Sequence, residues 1–474
     1  MSDKRLRIVQ WTTGKVATQS IKAILDRPEL ELVGLYAFSQ EKVGRDVGDL
    51  IGLGRQVGVK ATDDIAALLA LRPDCIVYMP LHPNVDEMAR LLRAGVNIVT
   101  TASFITGRGY GEAARKQLQD AALAGGVSLF GSGINPGWID GLVSTASSLC
   151  REVHLVRVTE SFNIGLWAGD ANQDVIGWGR PANDPEHPKA IEHATMPFGD
   201  AVEAIAKMFQ FKLDEVRCEV AFAHATEDLD VPGRSVKKGT VAGVLAQWFG
   251  LAGGHPVIEL NTQWTLSEEI EPAWDIAMAY LIEINGTPQL KLRAEVLPTD
   301  MSLPMEELVA TGSIITAAPV VNAIAKVVAA PPGIVTYADL TPVTSALRPK
   351  ATSALSIPLR DAEAPLNTGK TSSTSKAPLA GQWKVTIKGP TGPKETLLSL
   401  ELASGAWVGS MSGDGNSSPI SGAKLEGNNL YWINHTPKPM KLKCEFKAVV
   451  EGTSMTGKMK AGFMGSYAFS AEKL

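Results

Sequence analysis

Short apolar runs alternate with amphipathic stretches along roughly the first 150 residues of the chain. The run "LRIVQW" precedes "VATQSIKAILDR", "CIVYMP" precedes "VDEMARLLRAG", and "NIVTTA" precedes "GEAARKQLQDAALAGG". Continuous apolar strands that alternate with helices are typical of a parallel sheet covered by helices on both faces. The pattern therefore predicts a doubly wound α/β domain of Rossmann type over residues 1–150, with its ligand site beyond the carboxyl ends of the strands.

The pattern changes after residue 150, where apolar and polar residues alternate with a period of two. The segments "VHLVRVTESFN", "VRCEVAFAHATEDL" and "HPVIELNTQWTLS" show this alternation, which is typical of half-solvated strands in a largely antiparallel sheet. Helical patterns at "GDAVEAIAKMFQ" and "MEELVATGSIITAAPVVNAIAKVVAA" are expected to cover the sheet and to return to the first domain, respectively. Residues 151–348 are therefore predicted to form an α+β substrate domain that supplies the other wall of a cleft.

The remaining residues fall into two further segments. Residues 349–378 lack periodicity and are rich in Pro, Ser, Thr and Ala, which predicts a flexible linker. Residues 379–474 contain about eight short strand patterns separated by Gly, Pro and Asn turns, which predict an all-β, barrel-like domain. Its opening "LAGQWKV" resembles the entry of lipocalin-like barrels, so Trp383 is expected to plug the core. Such a barrel either encloses a small apolar molecule or is filled by its own side chains.

Composition narrows the functional class. The formal net charge of −5 over 474 residues gives no basic field for nucleic acid or for an anionic membrane surface. The N-terminus lacks a signal-peptide pattern, and the longest apolar stretch is interrupted by Asn322, Lys326 and prolines, so a buried helix is expected there. Four widely spaced cysteines predict reduced thiols and no metal site. We therefore expect a cytoplasmic metabolic protein.

The turn "TTGKVA" follows the first predicted strand. In a dinucleotide-binding turn three glycines permit a tight turn, close approach of the pyrophosphate and close helix packing, and here those places hold Thr12, Gly14 and Ala17. Thr12 is expected to keep a negative φ, because a β-branched residue at positive φ is strained by roughly 1–2 kcal/mol. An ordinary strand-to-helix connection is the alternative. The expected phosphate-binding residues are Thr12, Thr13, Gly14, Lys15 and Val16.

The end of the second predicted strand bears on the choice of cofactor. An acid there usually holds the ribose hydroxyls of NAD, whereas this chain has Ser39, with Lys42 and Arg45 close behind. One hydroxyl and two cations suit a 2′-phosphate, so NADP(H) is favoured. NAD(H) stays possible if Glu41 or Asp46 binds the ribose, and both cations are otherwise ordinary solvated loop charges.

Several segments together resemble a known group of enzymes. In order and spacing, "VQWTTGKVA", "FSQEKVGRDVG", "CIVYMP", "NIVTTA", "GSGINPGW", "IGWGRP" and "AAPPGIVTYADL" are similar to NAD(P)-dependent reductases with a dihydrodipicolinate-reductase-type N-terminal domain, which include diaminopentanoate and amine dehydrogenases. The resemblance covers roughly residues 6–348. It implies a homodimeric oxidoreductase, with residues 151–348 also serving dimerisation, that moves a hydride between a nicotinamide and a carbon bonded to nitrogen or oxygen.

One departure from that group concerns the catalytic acid. Amine-forming members carry a glutamate just after the "VTTA" strand, where this chain has Ser103 and Phe104. The acid candidates are instead Glu160, His82 after "YMP", and Tyr110 in the glycine-flanked "GRGYG", which is expected to lie on a mobile loop. For His82 a turn or capping role is the alternative, and packing is the alternative for the others.

The remaining candidates lie on loops expected to face the cleft. Further cofactor contacts are expected from Met79, Pro80, Thr101, Ser103 and Asn135. For Thr101 an ordinary strand position is the alternative, and for Asn135 a structural Asn-Pro-Gly turn. Substrate contacts are expected from Phe104, Trp138, Asn163, Trp167 and Trp178, whose apolar bias indicates a hydrophobic small molecule. The leading hypothesis is hydride transfer to or from a carbonyl or imine carbon. The alternatives are an amine or amino acid dehydrogenase with a relocated acid, and a non-catalytic NADP-sensing or ligand-binding protein.

Overall fold

The chain divides into two compact units. The computed structural model describes residues 5–298, 303–345, 379–389, 392–403, 405–413, 416–436, 442–461 and 466–474. One unit comprises residues 1–297 and 309–348, and the other comprises residues 298–308 and 349–474. The linker expected at residues 349–378 lies outside the described residues.

The first sixteen strands and the nine α-helices found among the described residues follow in chain order. The strands are β1 (Leu6–Trp11), β2 (Leu30–Tyr36), β3 (Ala61–Thr62), β4 (Cys75–Tyr78), β5 (Asn97–Thr100), β6 (Ser128–Gly131), β7 (Glu152–Asn163), β8 (Glu215–Ala225), β9 (Leu229–Val231), β10 (Arg234–Val236), β11 (Val241–Ala252), β12 (His255–Thr265), β13 (Ile270–Glu271), β14 (Ala279–Thr287), β15 (Leu290–Ala294) and β16 (Gly333–Val335). The helices are α1 (Lys15–Leu25), α2 (Val47–Leu50), α3 (Ile65–Ala70), α4 (Val85–Arg93), α5 (Glu112–Gly125), α6 (Ile139–Ser147), α7 (His187–Ala194), α8 (Met196–Met208) and α9 (Met305–Val328).

The first sheet has the Rossmann-type arrangement that the sequence predicts. Its seven parallel strands lie in the order β16-β6-β5-β4-β1-β2-β3. Helix α1 packs against it through Ala17, Ser20, Ile21 and Ile24, which share one helical face and are buried. The strand order reverses between β1 and β4, so the ligand crevice is expected beyond the carboxyl ends of these two strands.

Helix α9 is apolar and long, and residues Glu306–Val328 would suffice by length and composition to cross a membrane. The second half of the helix instead packs in the core of the first unit. Its buried residues there are Ala317, Val320, Val321, Ala323, Ile324 and Val327. For this half of the helix, the expectation of a buried core helix agrees with the structure.

The second sheet places the end of β7 beside the end of β6. It is seven-stranded, in the order β13-β8-β11-β12-β7-β14-β15, and only the β7–β12 pair is parallel, so the sheet is largely antiparallel as expected. Helices α6 and α8 share a hydrophobic core with one face of it, to which β7 contributes Val156 and Val158. Because side chains on a strand alternate, Glu160 and Phe162 lie on that same face.

The second unit contains a closed antiparallel barrel. Its strands are β17 (Gly381–Gly389), β18 (Gly392–Ala403), β19 (Ala406–Gly413), β20 (Asn416–Glu426), β21 (Asn429–Thr436), β22 (Leu442–Glu451), β23 (Ser454–Ala461) and β24 (Ser466–Lys473). Trp383 is fully buried, and its indole N–H donates to the Leu379 carbonyl at 2.9 Å. Trp432 stacks on Phe446 at 4.6 Å, with Phe469 edge-on to both rings. The barrel is therefore filled by its own side chains.

Candidate active site

The turn after β1 contains a strained threonine. Thr12 has φ 77°, so the expected negative φ is wrong. Its N–H donates to the Tyr36 carbonyl at 2.9 Å, and its hydroxyl donates to the Met79 carbonyl at 2.9 Å. These two hydrogen bonds tie the end of β1 to both neighbouring strands, and they offset a backbone strain of roughly 1–2 kcal/mol.

Gly14 leaves open space at the start of α1. It is the residue that precedes the helix, with φ −68°, and a Cβ placed on it would meet no atom within 4 Å. The N–H groups of Lys15, Val16 and Ala17 lie in the first turn of α1, where a helix provides them with no internal acceptor. Together with the positive end of the helix dipole, this open surface fits a pyrophosphate group.

Lys42 links the loop after β2 to this turn. Its ammonium group donates to the Thr13 hydroxyl at 2.8 Å, and its backbone N–H donates to the Ser39 carbonyl at 2.9 Å. Arg45 is exposed, as is Phe38, which lies two residues after the end of β2 and is 73% accessible. Sequence reasoning overlooked Phe38. A lone aromatic residue beyond the second strand was the available signal, and its ring offers a flat surface for an adenine.

The Asp46 carboxylate accepts hydrogen bonds from backbone N–H groups. One carboxylate oxygen accepts from Gly48 at 2.7 Å and Val57 at 2.9 Å, and the other accepts from Gly58 at 2.8 Å. These hydrogen bonds lower the pKa of Asp46. The residue therefore holds the loop in shape and is not free to bind a ribose hydroxyl.

The loop after β5 is held by a buried aspartate that the sequence did not single out. Asp200 on α8 is 1% exposed and accepts from the backbone N–H groups of Thr106 at 3.0 Å, Gly107 at 2.8 Å and Gly109 at 2.7 Å. A longer contact joins the Ile105 N–H at 3.4 Å. Burial raises the pKa of Asp200, and the amide donors only partly oppose this. Asp200 lies among apolar positions of a helix, so only its burial reveals its role.

Two predicted residues of this loop are unsuited to their assigned roles. Tyr110 donates its hydroxyl to the Ala102 carbonyl at 3.1 Å, and burial raises its pKa, so it is a poor proton donor. Backbone hydrogen bonds to Asp200 also anchor the loop that carries it. Phe104 is 2% exposed and stacks on Tyr110 at 5.9 Å, so its ring belongs to the core and is not a substrate contact.

The residues after β4 divide into buried and exposed positions. Met79 is 8% exposed, and its side chain packs in the core, so only its backbone borders the turn. Pro80 is half-buried, and His82 is exposed. Asn84, not His82, caps α4, because its side chain accepts from the Glu87 N–H at 3.0 Å.

Thr101 and Ser103 follow β5 at the same edge of the sheet. Thr101 is half-buried, and its carbonyl accepts from the Ser103 N–H at 3.0 Å. Ser103 is exposed and has φ 50°. Both therefore stay available for the cofactor contacts that the sequence predicts.

Glu160 lies where the ends of the two sheets meet. Its Oε2 accepts from the Asn135 amide at 2.9 Å, and its Oε1 accepts from the Trp264 indole N–H at 3.0 Å. Thr262 on β12 and Tyr280 on β14 are its neighbours across the sheet. Burial raises the pKa of Glu160 to about 7, although the two hydrogen bonds act in the opposite direction. A carboxyl group with such a pKa can give or take a proton at neutral pH.

Asn135 connects this acid to the Rossmann-type sheet. It lies in the turn Ile134–Trp138, directly beyond β6. Its amide NH₂ is used by Glu160, whereas its Oδ1 is buried and has no hydrogen-bond partner among the described residues. A buried acceptor without a partner is costly, so this oxygen is suited to an N–H donor from a bound molecule.

Aromatic rings surround Glu160. Phe162 packs against Tyr280 with ring centroids 4.9 Å apart, and Phe198 packs edge-on to Trp264 at 6.1 Å. Sequence reasoning overlooked Trp264, because its pairing with β7 follows only from the strand order. The wall beside the acid is therefore largely apolar.

The predicted substrate residues fall into different environments. Trp138 is 38% exposed at the end of the turn that carries Asn135. Trp167 donates to the Val309 carbonyl of α9 at 3.1 Å. Asn163 uses its side-chain oxygen to accept from the backbone N–H two residues later, so that oxygen is not free for substrate. Trp178 is 6% exposed and packs in a separate hydrophobic cluster, so its predicted substrate contact is wrong.

Lys15, the first residue of α1, forms an ion pair with a residue of the domain that contains the second sheet. Its ammonium group lies 2.5 Å from the Asp170 carboxylate, in the segment between β7 and α7. The ammonium is at the amino end of α1, where a pyrophosphate is expected. Both domains of the first unit therefore border the proposed cofactor cleft.

Comparisons with known proteins show what this chain is similar to. Residues 138–356 match the family described as the 2,4-diaminopentanoate dehydrogenase C-terminal domain. The chain is 29% identical over 349 residues to an amine dehydrogenase of Streptomyces virginiae, covering 70% of this chain and 95% of the relative. It is 25% identical over 344 residues to the 2,4-diaminopentanoate dehydrogenase of Acetoanaerobium sticklandii, covering 66% and 91% respectively.

A solved structure supports the fold. The amine dehydrogenase from Mycobacterium smegmatis superposes with a TM-score of 0.58 at 23% identity, covering 72% of this chain and 97% of that chain.

Proposed function

Because this chain is an NAD(P)-dependent oxidoreductase related to the amine and diaminopentanoate dehydrogenases, we propose that it acts on a carbon bonded to nitrogen, with Glu160 as the acid–base residue. The observation that carries this proposal is the Glu160 carboxyl group, which Asn135 and Trp264 hold beyond β6 with a pKa raised to about 7. Glu160 thus takes the place of the acid missing after β5.

The direction of proton transfer follows from this assignment. In amine oxidation the ammonium group of the substrate gives one proton to the Glu160 carboxylate, which frees the nitrogen lone pair. The C–H bond then breaks as the C=N bond forms, and a bound nicotinamide supplies the chemistry by accepting the hydride. Water adds to the resulting iminium carbon, a ketone or aldehyde and an ammonium ion are released, and Glu160 gives its proton to solvent. In the reverse direction Glu160 returns the proton to the nitrogen.

The available acceptors favour nitrogen over oxygen. Glu160 and the buried Asn135 Oδ1 both suit a ligand that carries N–H donors, such as an ammonium or iminium group. The carboxamide of a nicotinamide is another such donor for Asn135. Reduction of a ketone is the second candidate function: the nicotinamide would supply the hydride and protonated Glu160 the proton, because a pKa of about 7 also leaves the acid partly protonated at neutral pH.

The cofactor is proposed to be NADP(H). Gly14 and the first turn of α1 would hold the pyrophosphate, and Lys42, anchored on Thr13, would face the 2′-phosphate. The engagement of Asp46 by backbone N–H groups supports this choice, because it removes one alternative ribose ligand. We further propose that the protein is a homodimer in the cytoplasm and that its substrate is a hydrophobic amine or ketone.

The first prediction concerns Glu160. Turnover would be followed by nicotinamide absorbance with a panel of apolar amines, and with the matching ketones in the presence and absence of ammonia. E160Q should lower kcat about 10²–10⁴-fold because the proton acceptor is lost. In the wild type, kcat/KM for amine oxidation should rise with pH through a midpoint near 7, since Glu160 must be ionised to accept the proton.

Glu283 provides the matched control, because it lies on β14 three residues after Tyr280, opposite Arg157 of β7, and forms ion pairs with Arg157 and Lys291. E283Q should stay within about twofold of the wild-type rate. Full activity of E160Q would overturn the role of Glu160. Ketone reduction that is indifferent to ammonia would favour the second candidate function, and no turnover of any substrate despite NADPH binding would favour a non-catalytic role.

The second prediction concerns the ribose end of the cofactor. K42Q should weaken NADPH binding about tenfold by calorimetry and leave NADH binding within about twofold, because only NADPH carries the additional phosphate. S39D should also weaken NADPH binding, because the added carboxylate repels the 2′-phosphate. Lys116, paired with Asp120 on α5, is the control position. Equal losses for both coenzymes in K42Q would contradict the assignment of the 2′-phosphate.

A further inference from the structure

A buried carboxyl group lies beneath the turn that carries Asn135. Asp140, in the first turn of α6, is 1% exposed. Its Oδ2 accepts from the Gly137 N–H at 3.0 Å, and its Oδ1 is buried with no hydrogen-bond partner among the described residues. Burial raises the pKa of Asp140 well above its usual range, and the Gly137 amide only partly opposes this.

The turn itself depends on this carboxyl group. Gly137 has φ 129° and ψ −90°, a conformation that residues with a side chain rarely adopt. A Cβ on Gly137 would also lie 2.4 Å from the Ser132 hydroxyl, so the backbone there is pressed against the end of β6. With no side chain of its own at this point, the turn is anchored by the hydrogen bond from Gly137 to Asp140.

Tyr337 completes the buried cluster. Its hydroxyl lies 3.0 Å from the Ser132 hydroxyl, and its ring packs edge-on to Phe130 at 5.2 Å. A Cβ on Gly141 would approach the same ring to 3.2 Å, so Tyr337 lies directly on α6 beside Asp140. Burial raises the pKa of Tyr337 to about 12, which keeps the phenol neutral as a hydrogen-bonding group.

We propose that Asp140 is a positioning residue that acts as a neutral carboxylic acid and, with Ser132 and Tyr337, fixes the Gly133–Trp138 turn so that the Asn135 amide points at Glu160. The inference rests on the proposed function of Glu160. Its physical basis is that an ionised, unpaired carboxylate would be costly at this depth, whereas a neutral acid still accepts from Gly137. Asp140 and Tyr337 then act on the reaction only through Asn135.

The test compares D140A with N135A in the full-length protein. Asn135 donates to Glu160 and thereby favours its ionised form, so loss of that contact raises the pKa of Glu160. N135A and D140A should both move the pH midpoint of kcat/KM upward by about 0.5 or more, and both should lower kcat about tenfold. The double variant should be no more than about threefold slower than N135A alone, because the two residues act along one path.

Conservative variants separate positioning from folding. D140N keeps an acceptor for Gly137 and is neutral. It should therefore restore kcat to within about threefold of wild type and return the pH midpoint to the wild-type value. If D140A does not fold, Y337F provides the test, because it removes the hydroxyl contact with Ser132. Y337F should also raise the pH midpoint of kcat/KM, by a smaller amount.

Three results would overturn the proposal: an unchanged pH midpoint in both D140A and Y337F, additive losses in the double variant, or a D140N as impaired as D140A. Activity retained in E160Q would instead refute the proposed function itself, so the two failures are distinguishable.

Discussion

Thr12 and Glu160 are each held in a locally unfavourable state at the candidate site. Thr12 has a positive φ, and Glu160 has a carboxyl group whose burial raises its pKa to about 7. Neither state would persist in an isolated peptide, and each is stabilised by hydrogen bonds to residues on other strands. Such states concentrate where a protein binds or reacts, because stability is given up there for function.

The strain at Thr12 leads to the third prediction. T12A removes the hydroxyl contact with Met79 and keeps the positive φ, so it should lower the free energy of unfolding by about 0.5–1.5 kcal/mol. T12G removes the same contact but relieves the strain, so it should be more stable than T12A by about 1 kcal/mol. Urea unfolding of the two variants measures this difference directly. A T12A variant at least as stable as T12G would show that the backbone is not strained.

At the scale of elements, α8 connects the two domains of the first unit. Its Asp200 binds backbone N–H groups of the loop after β5, while Phe198 and Val202 of the same helix pack on the second sheet. The helix therefore fixes the position of the β5 loop relative to the sheet that carries Glu160. The relative placement of the two cleft walls depends on this buried polar contact as well as on apolar packing.

The fourth prediction tests this contact. D200A leaves several amide N–H groups without their acceptor, so it should lower the free energy of unfolding by about 2–4 kcal/mol. Hydrogen exchange at Thr106, Gly107 and Gly109 should accelerate most. Glu203, one turn later on α8, contacts the same loop through the Thr106 hydroxyl and forms an ion pair with Arg115 of α5. E203Q should lower the free energy of unfolding by less than about 1 kcal/mol. Hydrogen exchange in D200A that stays as slow as in the wild type would contradict the anchoring role.

At the scale of the whole molecule, the two units have separate hydrophobic cores. The barrel core contains Trp383, Trp432 and Phe446, whereas the candidate site draws all its residues from the first unit. A core filled with aromatic rings gives the barrel its own source of stability, since each buried ring removes a large apolar area from water. The chemistry and the stability of the barrel are therefore expected to respond to different substitutions.

The fifth prediction uses Trp383. In the full-length protein W383A should destabilise the barrel by about 3–5 kcal/mol and shift one calorimetric transition downward by more than about 10 °C, with the other transition unchanged. Turnover at lower temperature should stay within about twofold of wild type. Leu402, which is 58% exposed on β18, is the control, and L402A should change neither transition. Loss of turnover in W383A at a temperature where the barrel is folded would contradict separate roles.

Much of the architecture was determined by the sequence alone, because local periodicity reports which face of a strand or helix is buried. It predicted the Rossmann-type sheet, the largely antiparallel second sheet and the barrel, and the resemblance to amine and diaminopentanoate dehydrogenases is confirmed by the comparisons. The residues of the turn after β1 were also identifiable, since a phosphate site follows the first strand of such a sheet.

The tertiary structure alone decided which side chains meet. Trp264 reaches Glu160 because β12 lies beside β7, and Asp200 reaches the β5 loop from a helix almost 100 positions later in the chain. In the structure Phe104 and Trp178 lie in hydrophobic cores and not in the expected cleft, and Thr12 has a positive φ. Burial, pKa and hydrogen-bond partners depend on neighbours distant in sequence, so a pattern read along one chain cannot supply them.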